Sequence, residues 1–425
     1  MFDGNWKRAF EKGRYIRRDI EDELMRYLDV PEILAVVGPR QAGKTSLFYN
    51  IHSQLENSVF VSFEDRDILN IFEEDEKGFG ELYLEDTDYL FIDEFQYAEK
   101  GGKKLKYLYD RYPGKKVLIT GSSTVDMTVK GLKYLVGRVF KFRLFPFSFS
   151  EFLRAKDEKL YRIYVKRTEE LERWVKGEGE LTISDTLLER MEDLRREYIV
   201  YGGYPRVVLS KTPEEKRKVL DSIVDTYLIR EIRDVMGISQ DRRLLDLMKI
   251  LALRMGEQIN YNSVCEKGDI TYNELKEWLS VLEHTFVLEQ VRPFYTNKQK
   301  ELIKTPKIYF YDNGFRNSML GMYQDPEVRP DRGELNENFF FTQSRQTLKY
   351  WRTKSKAEVD FIWDREGKIA FEVKTAPKVT RSFRSFQKKY DPVYSFVMNE
   401  KMIGKEGDIF FVPLIFSEKI MDIFY

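Results

Sequence analysis

What the chain lacks narrows it first. A single cysteine, Cys265, stands among 425 residues, so no disulfide can close within the chain and a reducing compartment is expected. With two histidines, His52 and His284, the chain has too few soft ligands for a Cys/His zinc site. The longest apolar stretch, Ile409 to Phe416, is broken by Pro413 and falls far short of a bilayer span. The polar N-terminus has no signal-peptide core. The expectation is a cytoplasmic protein with no membrane partner. Neither sign of charge dominates: 71 Lys and Arg face 71 Asp and Glu. No global field announces a polyanionic partner, so any nucleic-acid surface must be a local patch. Core material is plentiful. At 42% hydrophobic, the chain can bury cores for about two to four domains.

The most informative stretch is Val36 to Thr45, Val-Val-Gly-Pro-Arg-Gln-Ala-Gly-Lys-Thr. Gly38, Gly43, Lys44 and Thr45 match G-x-x-x-x-G-K-[ST], the P-loop. A loop of that spacing, Gly38-Pro39-Arg40-Gln41-Ala42-Gly43, wraps a triphosphate so that successive backbone N–H groups point at phosphate oxygens. Gly43 allows close backbone approach. Lys44 is placed to reach the β- and γ-phosphates, and Thr45 to hold Mg²⁺. The apolar run Ile33 to Val37 reads as a buried parallel strand before the loop. Ser46 to Leu55 continues as a helix whose N-terminus favours anions. The predicted cofactors are ATP and Mg²⁺.

Further strands are predicted over Val59 to Phe63, Tyr89 to Asp93, Lys116 to Thr120 and Val139 to Leu144. Tyr89 to Asp93 ends in Asp93-Glu94, an apolar run closing on two acids. This is the Walker B pattern, with Asp93 holding Mg²⁺ through its water shell and Glu94 deprotonating the attacking water. After Thr120 comes Gly121-Ser122-Ser123. Ser122 or Ser123 either bonds the γ-phosphate, as a sensor, or caps the next helix, as Ser123 and Thr124 are also placed to do. Arg138 is either an arginine finger for a neighbour's site or a surface ion pair. Asn5 to Leu28 reads as a charged helical lead-in. In it, Tyr15 to Arg18 either contact adenine or lie on a solvated face.

Taken together, these segments resemble archaeal-type AAA+ ATPases near the STAND lineage. The likeness rests on the Arg-containing P-loop, on Phe91-Ile92-Asp93-Glu94-Phe95-Gln96 and on Thr120-Gly121-Ser122-Ser123. It rests also on Leu144 to Phe152 and on Tyr201-Gly202-Gly203-Tyr204-Pro205. The resemblance implies a five-stranded parallel sheet with helices on both faces, followed by a helical lid. It implies that the turn ending in Pro205 packs on the nucleotide, and it favours Arg138 as an arginine finger in a homo-oligomer. The lid is expected over Glu151 to Asp234, with the highly charged Lys156 to Asp193 as a solvated helical insertion.

Leu244 to Met255, Asn260 to Glu266 and Thr271 to Glu283 read as helices, the last opened by a Thr271/Glu274 capping box. Thr285 to Tyr295 and Lys307 to Tyr311 follow as strands around a basic loop, Thr296 to Thr305. Three helices and a hairpin make a winged helix-turn-helix. Its recognition helix carries Glu274, Glu277 and Glu283 against Lys276 alone, while Lys298, Lys300 and Lys304 sit on the wing. DNA binding and protein docking both remain open for it.

A second chemical pattern lies near the C-terminus. Ala357 to Trp363 and Lys368 to Lys374 form a predicted hairpin around an Asp364 to Gly367 turn. Asp360 is on its first strand; Glu372 and Lys374 share a face of the second. Asp followed by Glu-x-Lys is the restriction-endonuclease-like PD-(D/E)XK arrangement. Asp360 and Glu372, joined by the upstream helical acid Glu337, are placed to bind a divalent metal, and Lys374 to position water. An ion-paired hairpin is the alternative. The arrangement of Tyr309 to Gly314, then Gly333 to Glu337, then Asp360 and Glu-x-Lys also resembles the nuclease-like C-terminal domain fused to such ATPases. Lys378, Arg381, Arg384, Lys388 and Lys389, interleaved with Phe383, Phe386 and Tyr390, suit contact with a phosphate backbone.

The expected fold class is α/β: a P-loop AAA+ parallel sheet (1–150), a helical lid (151–235), a winged helix-turn-helix (236–306) and a restriction-endonuclease-like α/β domain (307–425). The expected activity is Mg-dependent ATP hydrolysis coupled to a domain that engages DNA. The rival readings are a nucleotide-exchanging switch and a DNA-binding regulator without nuclease activity.

Overall fold

The computed structural model describes residues 15–122, 134–228, 232, 241–365 and 367–424. Ser123 and Thr124, the alternative caps, lie outside the described residues. The chain divides into two compact units, Met1–Phe147 with His284–Phe286, and Ser148–Glu283 with Val287–Tyr425.

The first unit is built on β1 (Ile33–Val37), β2 (Ser58–Ser62), β3 (Tyr89–Asp93), β4 (Lys116–Gly121) and β5 (Val139–Arg143). Among the described residues these form one sheet in the order β2-β3-β4-β1-β5, with every pairing parallel. Parallel neighbours need long crossovers, and helices supply them. Lys44–His52 links β1 to β2, Arg66–Glu74 and Glu76–Tyr83 link β2 to β3, and Gly101–Arg111 links β3 to β4. Every residue of β1 is buried, the mark of a strand covered on both faces. Leu34 and Val36 pack with Leu47, Phe48, Phe91 and Leu118. Because all strands run the same way, the segments after β1, β3 and β4 emerge at one edge, where ligands of open parallel sheets bind.

The second unit begins with helices Phe149–Lys156, Glu158–Val175, Asp185–Tyr201, Pro205–Leu209 and Pro213–Ser222. Lys156 to Asp193 is not a solvated insertion. Leu160, Tyr164, Leu171 and Val175 form a buried stripe on its first helix. Tyr164 donates to the Ile415 carbonyl at 3.1 Å and stacks on Phe416. The charges dominate the composition, but the apolar minority falls at helical spacing and decides the packing.

Helices Asp241–Leu253, Tyr261–Gly268 and Tyr272–His284 then precede an antiparallel pair, β6 (Leu288–Val291) and β7 (Lys307–Phe310). The Thr271/Glu274 capping box forms in both directions. The segment expected as a basic loop instead carries a helix, Lys298–Ile303. Lys298 is tied to Asp364 at 2.9 Å and to Glu301 at 3.4 Å, so nearby carboxylates already satisfy this cation.

The remaining strands are β8 (Lys349–Arg352), β9 (Glu358–Arg365), β10 (Gly367–Val373), β11 (Tyr394–Asn399), β12 (Gly404–Glu406) and β13 (Ile409–Pro413). They form a mixed sheet in the order β12-β13-β11-β10-β9-β8. The β9–β10 hairpin is tighter than expected: Arg365 already pairs with Gly367. Alternation puts Phe361 and Phe371 under Phe340 of helix Arg332–Ser344. The other face, with Ile362 and Ala370, packs on Phe383 and Phe386 of helix Arg381–Tyr390.

Candidate functional site

The loop after β1 has the backbone that its sequence demands. A Cβ on Gly38 would lie 1.9 Å from the Leu144 carbonyl oxygen, because β5 runs beside β1 and continues past it. Gln41 (φ 54) and Gly43 (φ 97) turn the chain through the left-handed region, and Ala42, fully buried, donates its N–H back to the Pro39 carbonyl at 3.3 Å. Arg40 donates to the Tyr97 hydroxyl at 3.3 Å. Helix Lys44–His52 starts directly at Gly43, with Ser46 exposed on its first turn. Lys44 is buried and donates to the Gly38 and Pro39 carbonyls at 2.8 and 3.0 Å. A cation folded over its own loop in this way sits where phosphates would be cradled.

Thr45, after the loop, and Asp93, at the end of β3, are brought together. The Thr45 hydroxyl donates to Asp93 Oδ2 at 2.9 Å. Thr120, at the end of β4, donates to Asp93 Oδ1 at 2.6 Å and accepts the Glu94 N–H at 2.9 Å. β4 lies between β3 and β1, so its last residues are the natural bridge between the Walker acids and the loop. Asp93 is only 4% exposed. Burial, and then the charge of Glu94, push its carboxyl up to about 6. A divalent cation would relieve both causes, so these residues fit Mg²⁺. Glu94 adopts φ 56, a left-handed conformation that costs a non-glycine residue about 1 kcal/mol. Its Oε2 accepts from the Gln96 amide. Ser122 is buried immediately after β4.

Arg18 is the residue in this unit whose role local spacing does not reveal. Its buried guanidinium donates to the Ala42 carbonyl and to the Phe145 carbonyl, both at 2.7 Å, and lies over the Phe147 ring. It ties the phosphate loop to the segment after β5. Glu21 anchors it by accepting the Arg18 N–H at 2.6 Å, and also accepts from Asn50 at 2.9 Å. Arg138 lies at the other end of the sheet. It precedes Val139, which pairs with Ile33 at the start of β1, whereas the phosphate loop follows Val37. Its side chain reaches Asp110 at 3.6 Å and the Tyr109 ring.

Pro205 belongs to the second unit, at the first turn of helix Pro205–Leu209. The turn before it is closed by Asp312. Asp312 accepts the Gly203 N–H at 2.7 Å and the Phe315 N–H at 2.8 Å, and a Cβ on Gly202 would lie 2.0 Å from its Oδ1. Gly314 is as constrained, since a Cβ there would lie 2.1 Å from the Tyr201 carbonyl oxygen. Tyr201 to Pro205 and Asp312 to Gly314, far apart in the sequence, are thus one packed joint.

The second acidic site is assembled by the β9–β10 hairpin. Lys374 Nζ lies 3.0 Å from Asp360 Oδ2 and 3.5 Å from Glu372 Oε1. Asp360 Oδ2 also accepts the Val373 N–H at 2.8 Å. Burial alone would lower the Lys374 ammonium, but Asp360 and Glu372 outweigh it and hold it above its ordinary value. Burial raises the Glu372 carboxyl. Glu337 is set differently: its Oε2 accepts from the Tyr309 hydroxyl at 2.8 Å and stands 3.9 Å from Lys307 Nζ. Lys307 itself pairs with Glu358 at 2.5 Å. Burial and the Asp360 charge push Glu337 up to about 7. Lys307 and Tyr309 are two apart on β7 and so share a face; the signal was present, but nothing local joined it to Glu337. Among the described residues no three carboxylate, imidazole or thiolate groups stand close enough to hold a metal. One observation nevertheless fits a cation at Asp360 and Glu372: Glu372 is 2% exposed, and its Oε2 is buried without a hydrogen-bond partner.

Three segments of the chain match known domain families. Residues 30–153 match the AAA domain family. Residues 192–325 and 333–414 match two domains of unknown function, DUF8612 and DUF4143. An uncharacterized protein of Haemophilus influenzae is 24% identical over 329 residues, spanning 73% of this chain and 74% of that protein. An uncharacterized protein of Methanocaldococcus jannaschii is 25% identical over 382 residues, spanning 85% and 78%. A Walker-type ATPase of Pyrococcus abyssi of known structure is 14% identical, covers 72% of this chain and 96% of its own, and has a TM-score of 0.45. The parallel five-stranded sheet and the match of residues 30–153 are consistent with an AAA-type P-loop fold in this part of the chain. Among the described residues no helix is long and apolar enough to cross a membrane.

Proposed function

We propose that the protein is a Mg-dependent ATPase whose second unit carries a nuclease-like site that engages DNA. The observation that carries the ATPase reading is the Thr45–Asp93 hydrogen bond of 2.9 Å, with Glu94 beside it. Lys44 binds the β- and γ-phosphates, exchanging its two loop carbonyls for phosphate oxygens. The loop amides, oriented by Arg18 through Ala42, orient the triphosphate. Mg²⁺, when bound at Thr45 and Asp93, neutralises charge on the phosphates. Glu94 takes the proton of the attacking water, and Thr120 holds the Glu94 backbone for that task. Ser122 is a sensor candidate by its place after β4, and Pro205 a lid contact. Arg138 serves a neighbouring subunit's nucleotide in a homo-oligomer, since its own loop lies at the far end of β1. The test is turnover of ATP by wild type, Lys44→Ala and Glu94→Gln; equal rates in all three would refute it.

In the second unit, Asp360 and Glu372 hold a divalent cation with Glu337 nearby, and Lys374 orients water toward a DNA phosphate. The exposed Lys378, Arg381, Arg384, Lys388 and Lys389 supply the backbone contact. A second reading has its own support. Lys374 already bridges both carboxylates, as in a hairpin held by ion pairs, which favours a DNA-binding module that cleaves nothing. Incubation with varied DNA forms and Mg²⁺ or Mn²⁺ separates the two. A nucleotide-exchanging switch remains the rival for the first unit, and slow turnover with tight ADP retention would mark it.

A further inference from the structure

Thr380 connects two features that the sequence presents separately, the Glu-x-Lys strand and the basic helix. Its hydroxyl accepts the Phe383 N–H at 3.1 Å, capping helix Arg381–Tyr390. The same hydroxyl donates its one proton to Glu372 Oε1 at 2.7 Å. A hydroxyl has a single proton, so the two bonds together fix its orientation. They also fix the carboxylate. Oε1 is held by Thr380 and lies 3.5 Å from Lys374, while Oε2 is left buried with no hydrogen-bond partner. A buried carboxylate oxygen without a partner is costly unless something binds it.

We propose that Thr380 is the positioning residue of the second site: it occupies Glu372 Oε1 so that Oε2 faces the cation, and it makes the basic helix and the metal ligand move as one piece. The inference rests on the reading of Asp360 and Glu372 as a divalent-cation site. It adds a consequence for DNA. A phosphate backbone that draws on Arg381 and Arg384, in the helix's first turn, pulls on the residue that aims the carboxylate, so DNA binding and cation binding reinforce each other.

The experiment measures Mn²⁺ bound to the full chain without nucleotide, by the loss of the free-ion electron paramagnetic resonance signal. Asp360→Ala defines the part of the binding that belongs to this site. Thr380→Val, which loses the hydroxyl at nearly constant volume, should weaken that part about tenfold. Thr380→Ser should restore it. Thermal melting without metal shows whether each variant is folded. Wild type that binds Mn²⁺ with Thr380→Val binding it equally overturns the role of Thr380 alone. Wild type that binds no more Mn²⁺ than Asp360→Ala overturns the cation site, and the role of Thr380 with it.

Discussion

Thr45 and Asp93 are joined by a hydrogen bond of 2.9 Å although they lie 48 positions apart in sequence. The carboxylate they share is almost fully buried and has its other oxygen on Thr120. Two hydroxyl donors do not replace the hydration that an ionised carboxylate loses on burial, and Glu94 adds a second negative charge beside it. The arrangement favours a cation at a cost to the cation-free fold.

That cost has a predictable sign with pH. The Asp93 carboxyl is raised from 3.8 to about 6 in the folded chain. Between these values the folded state binds more protons than the unfolded state, so stability falls as pH rises through that window. Asp93→Asn should therefore stabilise the metal-free first unit at pH 7, by on the order of 2 kcal/mol, and remove this part of the pH dependence. The same substitution should abolish Mg-dependent ATP turnover. Melting curves at pH 4 and pH 7 check it; a destabilised Asp93→Asn variant at pH 7 would contradict the account.

Glu94 sits next in the chain but has a different task. Glu94→Gln keeps the hydrogen-bonding shape and loses the base, so ATP should stay bound while turnover falls about a hundredfold or more. Single-turnover hydrolysis and nucleotide retention measure the two effects separately.

Arg18 should act on binding rather than on chemistry. Arg18→Met keeps much of the apolar stem but leaves the Ala42 and Phe145 carbonyls without their donor. Leaving the fully buried Ala42 carbonyl without that donor costs about 1–3 kcal/mol. The variant should melt earlier and bind ATP roughly tenfold more weakly, the latter worth about 1.4 kcal/mol. Unchanged nucleotide affinity would show that the loop keeps its shape without the clamp.

The contrast between these residues shows where sequence reading succeeds. Gly38 to Thr45 and Asp93-Glu94 were legible because their chemistry is written in local spacing on apolar strands, and those strands also announced the parallel sheet. Arg18 was visible only as one of several lead-in residues, since its partners are 24 and 127 positions away. Tyr309 and Lys307 face Glu337 through tertiary packing that no local pattern encodes. Helix Glu158–Val175 was misjudged as solvated because its charged majority hid the Leu160, Tyr164, Leu171 and Val175 stripe. The ion pair of Lys298 is equally hidden, because Asp364, its partner, is 66 positions further on.

Arg138 carries a prediction about assembly. It stands at the end of β1 away from its own phosphate loop, so an arginine-finger role requires another subunit's site. Specific ATPase activity should therefore rise with protein concentration. Arg138→Ala and Lys44→Ala, each inactive alone, should regain part of the activity when mixed, at interfaces pairing an intact loop with an intact arginine. Concentration-independent activity of a monomer would assign Arg138 to its Asp110 ion pair instead.

The last prediction separates DNA contact from metal chemistry. On helix Arg381–Tyr390, Phe383 and Phe386 are buried, while Arg381, Arg384, Lys388 and Lys389 are exposed. Arg384 is partly neutralised by Glu406, so Arg381, Lys388 and Lys389 should carry most of the attraction. Each phosphate contact releases condensed counterions, which makes binding salt-dependent with a slope of about 0.9 per contact on duplex DNA. Replacing these three by Gln should flatten the plot of log affinity against log salt by roughly 2 to 3. Because the helix packs through its phenylalanines, the fold should be unaffected. Chelating all divalent metal should weaken this binding without changing its salt slope, and Asp360→Ala should do the same while removing any metal-dependent cleavage. If the triple substitution leaves the slope unchanged, the basic helix is a solvated face and DNA contact must lie elsewhere.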